Sequence, residues 1–274
     1  MLAQLEPVSS LLQPQAMLPV LRHRRQARHN FLRNYELKRR FVFMRHGEAV
    51  HNTLGILNGD LRRGELFPLT EKGKVEVQAS VRGGLAAGIL RDTMIIVTSA
   101  FLRARQSAAL AARELNLPLD SIIVHPAFNE RRVGRLEGCN YRRWLTLLNG
   151  TGQTEVHCWR QPRHSALLNL AARYELSRLV GLPLGLETTI NVCARATAAI
   201  VELDETLPQR RDVLIVSHEH TINIALISLT SLPTGYYWVN WDMPNGALLP
   251  LSSEFALARF CGQPEENGYL PLAA

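Results

Sequence analysis

The sequence predicts an α/β fold: a mostly parallel central sheet with helices on both faces and a helical cap inserted at residues 130–190. Three short runs, at 41–44, 93–98 and 213–217, are apolar without alternation, which is typical of strands buried on both faces. Each run precedes a stretch with helical spacing, and strands that alternate with helices favour parallel pairing. Because parallel strands end at one edge of the sheet, we expect the functional residues just after these runs.

The remaining elements follow from the same two periodicities along the chain. Helical stretches are predicted at 73–90, 102–115, 141–148, 165–179, 187–207 and 221–229. Further short strands are predicted at 121–124, 236–241 and 247–251. The sequence therefore divides into a basic N-terminal extension at 1–40 and one domain at 41–274.

The extension carries most of the net charge of +7, since residues 1–40 hold eight basic and two acidic side chains. The domain itself is close to neutral, which does not favour nucleic-acid binding. Residues 21–40 are consistent with a basic helix. Two interpretations stay open for the extension: an Arg-rich targeting or membrane-surface segment, or a solvated segment that packs loosely on the domain or on a second subunit.

Composition places the chain among ordinary globular proteins, with 46% hydrophobic and 20% charged residues. No window is apolar for long enough to predict a transmembrane helix. The four cysteines are scattered without a C-x-x-C pair, which indicates free thiols in a reducing compartment. We expect a cytoplasmic protein, with targeting to an organelle by residues 1–40 left open.

Reactive side chains follow each of the three main strands. Arg45 and His46 follow the first, Arg103 comes shortly after the second, and His218 ends the run at 213–217. A neutral histidine at a strand end can present one ring nitrogen to a phosphate. Neighbouring arginines disfavour the imidazolium form and clamp phosphoryl oxygens. The pattern indicates a phosphoryl-transfer pocket.

Five motifs occur in order across residues 41–218. They are R-H-G-E with Asn52 at 45–52, L-T-E-K-G at 69–73, S-A-F-L-R-A-R-Q-S at 99–107, F-N-E at 128–130 with Gly134 and E-G at 137–138, and an apolar strand that ends in His218. In this combination the sequence resembles the histidine phosphatase superfamily, the phosphoglycerate-mutase-like proteins. The resemblance implies an enzyme that carries the phosphoryl group on a histidine.

The resemblance also implies a role for each matching residue. His46 would be the nucleophile, Glu130 the proton donor to the leaving oxygen, and His218 a further catalytic and phosphate-binding group. The phosphoryl oxygens would be bound by Arg45, Arg103 and Asn52. The carboxyl group of Glu130 can act as an acid if its pKa is raised toward neutrality. No metal or other cofactor is expected, because arginine and histidine supply the positive charge.

Two features depart from the family pattern. Glu219 stands where glycine usually follows the second histidine, beside the expected phosphate pocket, and is included among the candidate substrate-binding residues. The loop at 52–69 is longer than in the mutases and contains Arg62 and Arg63. Either arginine could reach an acidic group on the substrate, or the loop could simply be solvated.

The sequence favours a metal-independent phosphomonoester hydrolase acting on a small phosphorylated metabolite. In the mutase pattern a lysine and a W-R-R triplet bind the substrate, whereas this chain has Tyr141 and Trp159-Arg160-Gln161 at those places. Phosphoglycerate mutase-type transfer and a non-catalytic phosphate-binding regulatory module are the alternatives. We expect a small-molecule phosphate ester as the ligand and neither nucleic acid nor a membrane as partner, with a homodimer left open.

Overall fold

The computed structural model describes residues 32–140, 185–208, 211–230 and 243–261. Its strands are β1 (Phe41–Arg45), β2 (Ile95–Thr98), β3 (Ile123–Val124), β4 (Val213–Ser217) and β5 (Leu248–Pro250). Its helices are α1 (Val50–Leu54), α2 (Leu61–Gly64), α3 (Glu71–Ala86), α4 (Leu102–Glu114), α5 (Thr189–Thr206), α6 (Glu219–Ile227) and α7 (Ser253–Cys261).

In the described residues these strands form one sheet in the order β3-β2-β4-β1-β5. Parallel ladders join β3 to β2, β2 to β4 and β4 to β1, and only β5 runs antiparallel, along β1. The mostly parallel sheet predicted from the apolar runs is therefore confirmed. The run at 247–251 forms β5, at the edge of this sheet.

Alternate residues of the strands enter two separate cores. Phe43 and Ile215 pack with α5, α6 and α7 on one face. Met44 and Val216 pack with α3 and α4 on the other. The strands are apolar on both faces because each face is covered by helices, as the sequence predicts. The predicted helices at 141–148 and 165–179, the strand at 236–241 and most of the cap lie outside the described residues.

The segment at 32–40 belongs to the domain more closely than the sequence indicates. Leu32 is 1% exposed and joins the core beneath α5. Asp204 of α5 accepts hydrogen bonds from Tyr35 Oη at 3.1 Å and from the backbone nitrogen of Lys38, and it pairs with Arg39 at 3.3 Å. This part of the predicted extension is held to the domain by a buried ion pair.

The predicted basic helix at 21–40 is wrong for its described part. Residues 32–40 form a turn and a bend, with no helical hydrogen-bond ladder. The reason is tertiary: the backbone nitrogen of Lys38 donates to the carboxylate of Asp204, not to a carbonyl one turn earlier. Within the described part of the chain, no helix has the length and apolar character needed to cross a membrane.

We expect Asp204→Asn to destabilise the domain by about 3 kcal/mol, because it leaves the buried guanidinium of Arg39 without its charged partner. Urea unfolding should show this as a lower midpoint. The neighbouring exposed variant Glu205→Gln is the control and should change the free energy of unfolding by less than about 0.5 kcal/mol. Equal stability of the two variants would contradict an anchoring role for Asp204.

Candidate active site

The register of the parallel strands brings the predicted site residues together. Arg45 lies beside Ser217, and the next residue, His46, donates its backbone nitrogen to the carbonyl of Ser217 at 3.1 Å. On the other side of β4, the backbone nitrogen of Ser99 donates to Val216 at 3.0 Å. The carboxyl ends of the three strands are therefore at the same level, and the side chains that follow them lie at one edge of the sheet.

His46 is 2% exposed, and both of its ring nitrogens are engaged. Nδ1 lies 2.8 Å from the carbonyl oxygen of Gly47, and Nε2 lies 3.1 Å from Nε of Arg103. Since the guanidinium can only donate, Nε2 accepts and Nδ1 carries the proton. Burial, followed by the charge of Arg103, holds the pKa of His46 well below its ordinary value. The imidazole is therefore neutral, with its lone pair on Nε2.

His218 faces this imidazole across the pocket, with 5.1 Å between the ring centroids. Its Nε2 shares a 2.7 Å hydrogen bond with Ser99 Oγ, and Phe101 packs against the ring edge-on. Nδ1 is buried and has no hydrogen-bond partner among the described residues. Burial and the charge of Arg103 lower the pKa of His218 as well. One buried nitrogen thus remains available to a ligand.

A third imidazole, that of His51 on α1, completes the cluster. Its ring centroid lies 5.7 Å from that of His46 and 6.0 Å from that of Phe67. Burial lowers the pKa of His51 to about 2, with further contributions from Arg103 and Arg45. Its Nδ1 is also buried without a partner in the described part of the chain. Three neutral imidazoles therefore meet beside one buried guanidinium.

Arg103 is fully buried and is held by a residue that the sequence analysis did not identify, Asn58. Its Nη1 donates to Asn58 Oδ1 at 2.6 Å, and its Nη2 donates to the Asn58 carbonyl at 3.1 Å. Glu137 in turn accepts from Asn58 Nδ2 at 2.7 Å and from the backbone nitrogen of Gly59 at 2.8 Å. A hydrogen-bond chain therefore runs from Glu137 through Asn58 and Arg103 to His46.

Arg45 is engaged on the opposite side of the pocket, where Glu219 lies 2.9 Å from its Nη2. Its Nη1 donates to the carbonyl of Met243, and its buried Nε has no partner among the described residues. Glu219 also accepts from the backbone nitrogen of Met243 at 3.1 Å. The carboxylate that was expected beside the phosphate pocket is thus bound to one of the pocket arginines.

Glu130 reaches the site from the segment after β3. Asn129 holds this segment, since its side chain accepts from the backbone of Ala100 at 2.8 Å and its carbonyl accepts from Thr221 Oγ1 at 2.8 Å. A Glu130 carboxylate oxygen accepts from the backbone nitrogen of Arg131 at 2.8 Å and lies 3.7 Å from His220 Nδ1.

The pKa of Glu130 differs from the sequence expectation. Burial raises it, but the neighbouring His220, the backbone donor and Arg103 together outweigh burial and hold it below the ordinary value. The raised pKa expected for a general acid is therefore not present in this state of the protein.

The other candidate binding residues lie farther out. The side-chain oxygen of Asn52 caps α1 by accepting from the backbone nitrogen of Ala49 at 3.0 Å. Arg62 is exposed on α2 and lines a cleft of about 750 Å³ that begins at Glu130. The cleft is also lined by other charged side chains, namely Asp60, Arg132, Glu137, Glu187 and Arg195. The three histidines of the imidazole cluster are not among the residues that line this cleft.

Gly47 and Gly73 allow two backbone segments to pack in direct contact. A Cβ at Gly47 would lie 2.1 Å from the carbonyl oxygen of Gly73. A Cβ at Gly73 would lie 2.0 Å from the carbonyl oxygen of Glu48. The two glycines allow the loop after β1 to pack directly on the start of α3.

No group of three histidine, cysteine, aspartate or glutamate side chains is arranged to hold a metal ion in the residues that the structure describes. The positive charge at the site comes from Arg45 and Arg103, which both act electrostatically on His46. Fold and pocket together define an α/β protein with a buried histidine–arginine site of the kind that binds a phosphoryl group.

The model of the histidine phosphatase superfamily (branch 1) matches residues 41–254, and the chain belongs to that family. The match covers every predicted site residue. The family suggested by the five motifs is confirmed.

Curated relatives are mutases. The chain is 33% identical over 147 residues to a 2,3-bisphosphoglycerate-dependent phosphoglycerate mutase of Methylobacterium radiotolerans, and the match covers 50% of this chain and 63% of the relative. It is 34% identical over 129 residues to the protein of that name from Beijerinckia indica, covering 46% and 56%. The matches thus span less than two thirds of these relatives' length.

Solved structures of both kinds share the fold. A mycobacterial glucosyl-3-phosphoglycerate phosphatase superposes with a TM-score of 0.56 at 22% identity, covering 78% of this chain and 92% of that one. A phosphoglycerate mutase from Bacillus anthracis superposes with a TM-score of 0.55 at 19% identity, covering 77% and 86%. Phosphatase and mutase are equally similar, so the fold does not separate the two activities.

The neutral histidines make stability depend on pH. His46, His51 and His218 have lowered pKa values when folded, whereas each titrates near 6.5 when unfolded. Their contribution is present above pH 6.5 and is lost as the pH falls below it, by roughly 1.4 kcal/mol per pH unit for each histidine. Carboxyl groups with lowered pKa values change the free energy of unfolding only below about pH 4.5.

Urea unfolding between pH 8 and pH 5 measures this loss. The free energy of unfolding should fall steadily below pH 6.5, and His51→Gln should reduce that slope by roughly one quarter, because burial lowers the pKa of His125 as well and one of four protons is no longer taken up. A slope that is unchanged in the variant would show that His51 does not stay neutral in the folded protein.

Proposed function

We propose that the protein hydrolyses a phosphate monoester through a phosphohistidine intermediate on His46. The observation that carries the proposal is the tautomer of His46: the contact of Nδ1 with the Gly47 carbonyl leaves the lone pair on Nε2, which accepts a hydrogen bond from Nε of Arg103. A nucleophilic histidine requires this tautomer, with the second nitrogen held by an acceptor.

The reaction takes two steps. The phosphoryl group accepts the Nε–H of Arg103 in place of His46, which frees the lone pair of His46 Nε2. This nitrogen then attacks phosphorus as the bond to the ester oxygen breaks, and Glu130 gives its proton to the leaving alkoxide. Water then attacks the phosphohistidine, Glu130 takes one of its protons, and inorganic phosphate leaves with His46 neutral again. Arg45, Arg103 and His218 stabilise the charge on the transferring group in both steps.

Substrate binding favours protonation of Glu130, which takes the proton from solvent. A phosphoryl dianion placed between His46 and His218 is a nearby like charge for the Glu130 carboxylate, and a like charge raises a carboxyl pKa. Burial already acts in the same direction. The acid is thus formed when the substrate is bound.

The leaving group would occupy the cleft that begins at Glu130. Its volume of about 750 Å³ suits a small molecule, and it is lined by charged side chains beside apolar surface. The charged side chains favour a metabolite with polar groups. Arg62 and Arg132 are exposed at this cleft, where they can contact polar groups of such a substrate.

Mutase-type transfer is the second candidate, since both curated relatives described above are phosphoglycerate mutases. Against it stand Tyr141 and Gln161, which replace two cationic residues of the mutase pattern. With fewer fixed cations to retain the partner substrate, water has better access to the phosphohistidine. A non-catalytic phosphate-binding module is not favoured, because all five residues that the family reaction needs are present: Arg45, His46, Arg103, Glu130 and His218.

The test is a panel of phosphorylated metabolites, 3-phosphoglycerate included, assayed in parallel for phosphate release and for isomerisation. We expect phosphate release from at least one substrate, and loss of that activity to background in His46→Ala, because no other group accepts the phosphoryl. Isomerisation of phosphoglycerate faster than phosphate release would favour the mutase. Activity that survives His46→Ala would overturn the proposed nucleophile.

Glu130→Gln separates acid catalysis from a structural role. The loss should depend on the leaving group: roughly 10²–10⁴-fold for an alkyl phosphate, whose alkoxide needs the proton, and far less for p-nitrophenyl phosphate. With the activated substrate, the variant should accumulate acid-labile phosphohistidine. An equal loss on both substrates would mean that Glu130 only maintains the pocket.

A further inference from the structure

The family pattern does not anticipate the contact between Glu219 and Arg45. We propose that Glu219 is a positioning residue that competes with the phosphoryl group for Arg45, so that the pocket binds inorganic phosphate weakly and releases it readily. The proposal rests on the proposed function, since it assigns Arg45 to phosphate binding. Glu219 would act only through Arg45.

The geometry of Arg45 supports competition. Both terminal nitrogens bind protein oxygens, Nη2 the carboxylate of Glu219 at 2.9 Å and Nη1 the carbonyl of Met243. Bidentate binding of a phosphate needs two donors of one guanidinium. In this arrangement Nε is the nitrogen without a partner among the described residues. A phosphate that takes two donors from Arg45 must therefore share or displace Glu219.

The position of the carboxylate strengthens the effect. Glu219 directly follows His218 and is the first residue of α6, while Arg45 directly precedes His46. The side chains of Arg45 and Glu219 are 13% and 12% exposed, so their charges are only weakly screened by solvent. Glu219 therefore offsets the charge of Arg45 beside the phosphoryl group.

This arrangement gives Arg45 a different role from Arg103. Arg103 is held by the neutral side chain and carbonyl of Asn58, and the charges of Glu130 and Glu137 act on it without a direct contact among the described residues. Arg45 is held by a carboxylate in direct contact. The charge of Arg45 is therefore offset more closely than that of Arg103. Arg45 is therefore suited to releasing the product phosphate, and product release limits turnover in many enzymes.

The test measures binding of inorganic phosphate by titration calorimetry, which requires no turnover. Glu219→Gln keeps the size of the side chain and an acceptor for Met243 but removes the charge. A hydrogen bond from Arg45 to the neutral amide is weaker than one to the carboxylate, so the side chain competes less with phosphate for Arg45. We therefore expect phosphate to bind about tenfold more tightly in the variant. The inhibition constant of phosphate against p-nitrophenyl phosphate should fall in parallel.

Three further variants make the result specific. Glu219→Gly supplies the residue usual in the family and serves if the glutamine variant does not fold. Glu219→Asp keeps the charge and should bind phosphate within about threefold of the parent. Glu205→Gln changes the net charge equally from an exposed position near the end of α5, which leads to the opposite end of the sheet, and should bind like the parent.

Tighter binding by the neutral Glu219 variants alone supports the proposal. Equal or weaker binding by them, including no detectable binding by any protein, overturns it, because a purely structural Glu219 would lose phosphate affinity when replaced. An equal gain in Glu205→Gln also overturns it. These outcomes are independent of the proposed function, which fails only if turnover is absent or survives His46→Ala.

Discussion

The hydrogen bond from Arg103 to His46 exists only while His46 is neutral, and the rest of the site is arranged around that condition. An imidazolium has no acceptor nitrogen, so one proton on Nε2 would place two cations 3.1 Å apart in a buried pocket. Burial and the second arginine act against that proton as well. The protein therefore keeps a nucleophile ready by making its protonated form costly.

The fold was readable because each strand is short, apolar and followed by a helix. In strands such as β4, where five residues in a row are buried, the apolar composition itself indicates burial. The site was readable for a related reason: His46 and His218 each sit at a strand end, and parallel pairing brings such ends to one edge. Local pattern and global topology agree at these positions.

Contacts between distant segments were not readable in this way. Asn58 follows no strand and belongs to no quoted motif, yet it orients Arg103 from 45 residues away. Glu219 pairs with Arg45 from more than 170 residues away in the sequence, and Asp204 holds a segment more than 160 residues earlier in the chain. Such pairs depend on which loops lie next to each other in the folded protein, and the sequence pattern does not indicate that.

The contact between Gly47 and Gly73 bears on how this site tolerates change over evolution. Two backbone segments of the chain touch there without side chains between them. Repacking cannot make room for a larger residue, because any substituent at either position meets a carbonyl oxygen. A change at one glycine cannot be compensated at the other, because both are already at the lower limit of size. The loop that carries His46 is thus joined to α3 by a contact that mutation can break but cannot adjust, and variation in related chains would have to accumulate around it.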